Sequence, residues 1–518
     1  MDRPRNINDL ADELISEVLS FLLGSEQLLN DSAVARDTVL APGPDLNSIS
    51  AYGEQTELDR FRLVCRRFTR IGTPRKFPRF VLRFSREGFG RLEDLLSMQL
   101  ACHVRYFTYM VRPFYQGSGT VSEVPPYLQG KKVQLTRTNL GWSNLLNGVD
   151  SGTLPDARIH QRRFHDQREI LDNDHDVSLL RRALAAFTSL QQVKLLRLQD
   201  KADEKALDYI RERALGRDTS LDWGAACSRA VSSLGISLLE STRHSVRFVG
   251  PQISPDATVR LSQAPPTTLS ELGTRLTSLD VTFLTTSDMT AHMGSLSSVF
   301  HNFFLAARNL TAIHLGFPPG LPLDLPLEAI FHRLQWKRLR TLSIQGWRLH
   351  AEELISLISR HRRPLRDIRL TSIYLREGSY WRDVLSTLHS DLDHLERIDL
   401  RDINYVQAAH TNNNTTTNGS SSNGTPNGST PETYPPLIPI ITRPASESPP
   451  PQTALSVDHM SFLPRGNTRR SFSGPTLERL RGLSADELGD DGVCVRRDQR
   501  LFWEAWVLSS SGGNDGWG

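Results

Sequence analysis

Three histidines, His160, His165 and His175, stand close in the sequence to Asp172, Asp174 and Asp176. Imidazole and carboxylate are ordinary metal ligands, so the cluster invites a metal reading. The run Asp172-x-Asp174-x-Asp176 begins like a calcium loop. Val177, however, occupies the place where the sharp turn needs glycine, and Ala183 the place of the bidentate glutamate. A solvated loop is the better reading, and no metal site is expected. Gly88-Phe89-Gly90 starts like a dinucleotide-binding turn, yet Glu93 falls at the third glycine position and would repel a pyrophosphate. It reads as a tight turn.

The sequence contains no Gly-x-Ser-x-Gly elbow, no P-loop and no His-Glu-x-x-His pair, so nucleophilic, phosphoryl and zinc chemistry lack their usual anchors. No catalytic residue and no cofactor are therefore expected, and the chain reads as a non-enzyme. Cys65, Cys102, Cys227 and Cys494 are too widely spaced for a metal-ligand or redox motif. Reduced thiols suit the cytoplasm or nucleus. A modification site is legible instead at Arg470-Ser471-Phe472-Ser473-Gly474-Pro475, which resembles the phosphoserine motif read by 14-3-3-type proteins. Phosphate on Ser473 would supply two negative charges to an arginine cluster. An unmodified linker is the alternative.

Composition narrows the classes further. A net charge of +3 on 61 basic and 58 acidic residues creates no chain-wide field for phosphate backbones or anionic lipid, so no nucleic-acid or membrane partner is expected. No apolar run approaches the length of a membrane span, and the start MDRPRNINDLADEL is charged. The expectation is a soluble, unexported protein.

Two amphipathic helices are expected near the start. Leu10, Leu14, Ile15, Val18, Leu19 and Leu22 recur at three- and four-residue steps and make one apolar face, leaving Asp12, Glu13, Ser16 and Glu17 to water. A second helix opens at Thr56, with Asp59 completing a capping box. It carries Leu58, Phe61, Val64, Cys65, Phe68 and Ile71, and is expected to stop at Ile71-Gly72-Thr73-Pro74.

LADELISEVLSFL followed by LDRFRLVCRRFTRI resembles the F-box of fungal F-box proteins, whose pattern runs Leu-Pro-x-Glu-Leu, Ile-Leu-x-x-Leu and Val-Cys-(Arg)-x-aromatic. Leu10, Glu13, Leu14, Val18, Leu19, Leu22, Val64, Cys65, Arg66 and Phe68 match it. Ala11 departs from the proline, and residues 23–57 intervene as a polar insertion, which a surface loop tolerates. The resemblance implies that the module, residues 1–75, docks on a Skp-type adaptor of a cullin ubiquitin ligase scaffold. Leu10, Leu14, Ile15, Val18, Leu19, Val64, Cys65 and Phe68 are the residues it assigns to that contact. A helical cap without any ligase is the rival.

Beyond Pro74, triplets of the form apolar-x-x-apolar-x-apolar recur. They are Phe77-Phe80-Leu82, Val104-Phe107-Tyr109, Leu190-Val193-Leu195, Leu276-Leu279-Val281, Leu310-Ile313-Leu315, Leu339-Leu342-Ile344, Leu365-Ile368-Leu370 and Leu395-Ile398-Leu400. At 38% apolar composition single triplets arise by chance, so the argument rests on spacing: the last five start 34, 29, 26 and 30 residues apart. Between them lie helical stretches such as AEELISLISRHR, closed by Pro364, and SYWRDVLSTLHSDL, whose Trp381, Val384, Leu385 and Leu388 share a face. Such units resemble degenerate leucine-rich repeats, stacking because none can bury its apolar face alone. The usual asparagine is replaced by Trp347 and Ser372, and two gaps of 86 residues interrupt the series.

The expected fold class is therefore α/β, an F-box-like helical module followed by an irregular solenoid of parallel strands and outer helices over residues 76–406. Residues 407–476, with NNNTTTNGSSSNGTPNGST and a proline-rich stretch, cannot bury enough apolar surface to order. Residues 477–518 return to an apolar pattern, and Leu501, Phe502, Trp503, Trp506 and Val507 are expected to form a strand and an aromatic end covering the last repeat. A solenoid of this kind would hold an unknown target protein on its concave face.

Overall fold

The computed structural model describes residues 10–22, 57–116, 140–147, 154–213, 215, 219–241, 245–392, 394–406 and 474–510. These belong to one compact unit, residues 1–406 with 474–518; the second unit, 407–473, includes Ser473 and lies outside the described residues. Most of the insertion expected at 23–57 lies outside them too.

Among the described residues there are twelve strands. They are β1 (Arg79–Arg83), β2 (Tyr106–Val111), β3 (Phe114–Gln116), β4 (Gln192–Arg197), β5 (Ser220–Asp222), β6 (Val246–Ile253), β7 (Leu276–Phe283), β8 (Ala312–Gly316), β9 (Thr341–Leu349), β10 (Asp367–Leu375), β11 (Arg397–Arg401) and β12 (Asn404–Tyr405). The central sheet runs β1-β2-β4-β6-β7-β8-β9-β10-β11, with β12 beside β10, and every pairing in it is parallel. Its order follows the chain and never reverses, so there is no switch point of the kind that houses ligands in doubly wound sheets. A one-way α/β progression is the topology of a solenoid, in which each unit leans on its neighbours.

The last two residues of all eight triplets fall in strands of this sheet. Partners across the later strands are Ser278–Ala312, Ala312–Thr341, Thr341–Asp367 and Asp367–Arg397, offset by the same 34, 29, 26 and 30 residues as the triplets. Burial explains the register. Ile313, Leu342, Ile368 and Ile398 form one buried column and Leu315, Ile344, Leu370 and Leu400 the next, so a one-residue slip would turn both columns to water. Covering them, helix Ala351–Arg360 buries Leu354, Leu357 and Ile358, and helix Trp381–Asp391 buries Trp381, Val384, Leu385 and Leu388 on the expected face.

The missing asparagines have a structural substitute. The register places Gly346, not the expected Trp347, opposite Ser372, with Asp402 next in line, and their φ angles are positive at 69°, 51° and 49° respectively. This left-handed residue bends each strand, which continues beyond it in β9 and β10. Gly346 is required for a second reason: a Cβ there would lie 2.3 Å from the Phe317 carbonyl oxygen.

Four expectations change. Residues 160–176 are not a loop: helices Ala157–Asp172 and His175–Ala186 contain all six polar residues except Asp174, which precedes the second and pairs with Arg229. Gly88 is not in a tight turn but in the first turn of helix Arg86–Ser97, capped by Ser85, where a Cβ would strike the Arg83 carbonyl oxygen. The 86-residue gaps hold ordered structure. The second contributes β5 and β6 and the first β3, which pairs antiparallel with β5 around a satellite core of Tyr115, Trp142, Phe164 and Tyr209 from both gaps. Finally, residues 497–509 form a helix rather than a strand, because Trp503, Trp506 and Val507 share a helical face that is buried. That helix contacts β11, and the Glu504 carboxylate accepts the Leu400 N–H at 2.8 Å, closing the open edge of the sheet.

Candidate functional site

The N-terminal residues fold as α1 (Asp12–Leu22), α2 (Glu57–Val64) and α3 (Arg66–Lys76). The second expected helix is thus two. Cys65 adopts an extended conformation and breaks it, while Phe61 stacks on Phe68 at 4.5 Å between centroids to hold the corner. The expected stop at 71–74 does not occur. Pro74 sits near the end of α3, where its missing N–H removes only one ladder bond, and the Phe77 N–H closes the final turn on the Thr73 carbonyl. Gly72 lets the Arg62 side chain lie against α3, where a Cβ would approach Arg62 Cγ to 2.5 Å.

Polar bonds fix how α1 lies on α3. Asp12 accepts from Arg67 Nε at 2.6 Å and also pairs with Arg70, and the Arg67 hydrogen bond holds the Asp12 carboxyl below its usual range. One turn on, Arg75 donates to the Ser16 carbonyl and hydroxyl, both at 2.7 Å. Asp12 and Ser16 therefore face α3 rather than water. Arg67 also donates to the Leu10 carbonyl, which brings the corner around Val64 and Cys65 to the start of α1.

This orientation splits the expected apolar face in two. Ile15, Leu19 and Phe68 are at most 4% exposed and close the small core, so these three cannot meet a partner. Their assignment to a docking contact is corrected. Leu10, Leu14, Val18 and Val64 remain open, with Leu14 48% and Val64 66% exposed, and Cys65 is exposed beside them. Sequence reasoning missed Phe21, 80% exposed, and Leu63, 74% exposed. Phe21 carries a signal that was available: it follows Leu14 and Val18 at helical spacing.

A second set of residues lies on the sheet face opposite the apolar columns. Asp280, His314, Ser343, Arg369 and Asp399 are register partners across five strands. Their signal is positional, since each stands between two apolar strand residues. His314 Nδ1 shares a 2.7 Å hydrogen bond with Ser343 Oγ, and its Nε2 one of 3.1 Å with Thr282 Oγ1; burial lowers its pKa. Asp280 pairs with Arg247, Arg369 with Asp367 and Arg401 with Asp399. No described hydrogen bond links Asp280 to His314, so the row lacks the orienting bond of a nucleophile–base–acid relay. Asp280, His314, Ser343 and Asp399 are buried, so the row is an internal polar strip rather than a surface open to a partner.

The histidine and aspartate cluster is dispersed by folding. His160 is buried between the Tyr115 hydroxyl at 2.9 Å and the Ala202 carbonyl, His175 packs on Phe89, and Asp176 is buried against Arg229 at 2.6 Å. Among the described residues no group of three His, Cys, Asp or Glu side chains is placed to hold a metal ion, and no helix is long and apolar enough to cross a membrane. Comparison with protein-family models and with curated proteins finds no match.

Proposed function

We propose that this chain is the substrate-recognition subunit of an SCF-type ubiquitin ligase. In this reading α1, α2 and α3 act as an F-box that docks on a Skp-type adaptor, and the parallel sheet acts as degenerate leucine-rich repeats that hold a target protein. The chain supplies proximity, and the chemistry belongs to its partners. The observation that carries the proposal is the apolar surface of Leu10, Leu14, Val18, Phe21, Leu63 and Val64 left open on helices whose own core is already closed by Ile15, Leu19 and Phe68. Surface of this kind is costly in an isolated protein and marks a site of contact.

The rival reading keeps the repeats and makes the helices a simple cap. It is favoured by α3, which contacts residues 101–103 and leads directly into β1. Co-precipitation with the adaptor separates the two: Leu14→Arg with Val64→Arg abolishes capture if the helices dock. Undiminished capture by the folded double variant eliminates the docking surface.

A further inference from the structure

The end of the sheet at which β8, β9 and β10 begin is basic. Arg308 precedes β8, Lys337, Arg338 and Arg340 precede β9, Arg362 and Arg363 precede β10, and all six are exposed. The backbone holds them in line. The Arg340 N–H donates to the Thr311 carbonyl at 2.7 Å and the Arg366 N–H to the Arg340 carbonyl at 2.8 Å, so successive units enter the sheet at one height. Adjacent strands lie about 4.8 Å apart, which gathers the six cations on three neighbouring entrances. Carboxylates of the same turns are already engaged: Glu328 meets Arg360 at 2.8 Å, Asp367 meets Arg369 at 2.7 Å and Glu396 meets Arg366 at 3.8 Å, while Asp391 accepts from the Ser390 hydroxyl. Among the described residues no ion pair uses any of the six cations. Arg308, Arg362 and Arg363 follow helices Ser297–Ala306 and Ala351–Arg360, where cations complement the C-terminal dipole. Lys337, Arg338 and Arg340 follow only the single turn Glu328–Phe331, so the dipole does not account for the band. A net charge of +3 averages over this segregation.

The band offers charge and little else. Of the exposed large apolar side chains only Leu305 stands within a few residues of it, and no exposed aromatic does. A specific protein interface is built on apolar and aromatic anchors, an interfacial membrane contact on an apolar face, and single-strand binding on aromatic platforms. A nucleic-acid duplex needs none of these, because phosphate contacts alone supply sequence-independent affinity and guanidinium forks match phosphate oxygens. We propose that this rim binds the phosphate backbone of a nucleic-acid duplex without reading its sequence. The contact requires neither the adaptor nor a ligase. Chain-wide balance, which gave no reason to expect a nucleic-acid partner, is replaced here by a local field that the fold assembles from three turns.

The test uses the full chain and fluorescence anisotropy of labelled DNA and RNA duplexes of mixed sequence, titrated over a range of salt. With all six cations engaged, log affinity is expected to fall with log salt at a slope of about −5. Arg338→Gln, Arg340→Gln and Arg362→Gln together, all at exposed positions, should bring the slope to about −3 and weaken binding by about tenfold or more. A control triple, Arg158→Gln, Arg162→Gln and Arg182→Gln, removes the same charge from exposed positions of helices Ala157–Asp172 and His175–Ala186 and should change neither quantity. Whichever duplex binds more tightly identifies the source of the phosphates. No duplex binding at low salt, equal loss in the control triple, preference for one base sequence, or tighter binding of polyglutamate or of phosphatidylserine vesicles would each overturn the proposal.

Discussion

Exchanging Leu14 and Val64 for arginine separates docking from folding, and the structure sets the size of the effect. Leu14 is 48% exposed and Val64 66% exposed, so docking can bury about half of one side chain and two-thirds of the other. Full burial of such residues contributes about 1.5–3 kcal/mol each, which makes the remaining fractions worth roughly 2 kcal/mol together. That alone is about a thirtyfold loss of affinity, and placing two guanidiniums in an apolar contact adds to it. Stability should scarcely change, because both side chains already face water. The opposite pattern is expected of Ile15→Ala and Phe68→Ala. Both residues are core, and their truncation should cost about 2–5 kcal/mol of stability. The assay is adaptor affinity by calorimetry on each variant, paired with its thermal melt. Adaptor binding that survives the exposed substitutions within about threefold, or an unfolded Leu14→Arg/Val64→Arg protein, would refute this division of the helices into core and contact.

Three further outcomes test the body of the protein. Burial lowers the pKa of His160, His314, His361 and His389, so the unfolded chain binds more protons than the folded one below about pH 6.5. Their contribution is complete above that pH and is lost as pH falls. Tm should therefore drop between pH 7.5 and 5.5, and a flat or rising profile would contradict the burial. His361 shows why: its Nε2 accepts the Trp336 N–H at 3.1 Å and has no room for a proton. Gly346→Ala forces a side chain into left-handed backbone and against the Phe317 carbonyl, costing about 2 kcal/mol or more by denaturant titration; an unchanged midpoint would show that the bend is not needed. Glu504→Ala leaves the Leu400 N–H buried without that acceptor and should cost about 1–3 kcal/mol, again read as a shifted midpoint. Retention of full stability would mean that the C-terminal helix does not close the sheet.

Much of the parallel sheet was legible because strand spacing and side-chain alternation are written locally. The interval from Leu339 to Leu365 is also the register between β9 and β10, since each unit must present its apolar pair at the same height as its neighbour's. Where the local pattern is interrupted, legibility ended. In β6 the register shifts near Val246 and again between Gly250 and Ile253, so VRFVGPQI never shows the triplet, although it joins β4 to β7. The C-terminal segment carried both periods. Its aromatic and branched residues suggest a strand, and only contact with β11 and helix Trp381–Asp391 selects the helical face of Trp503, Trp506 and Val507.

The candidate site divides in the same way. By itself, the sequence established that α1 carries apolar residues at helical spacing, and that Val64-Cys65-Arg66-Arg67-Phe68 resembles one half of a two-part helical motif. Only the tertiary structure decided which apolar flank is core and which is open. Leu14 and Ile15 are neighbours of equal hydrophobicity, and periodicity cannot rank them. The pairing of Asp12 with Arg67 and Arg70, and of Ser16 with Arg75, sets the rotation of the helix, turning Ile15 and Leu19 inward and leaving Leu14, Val18 and Phe21 to solvent. The spacing of a helix fixes the angles between its side chains, whereas the direction of its buried face depends on groups that lie more than fifty residues away.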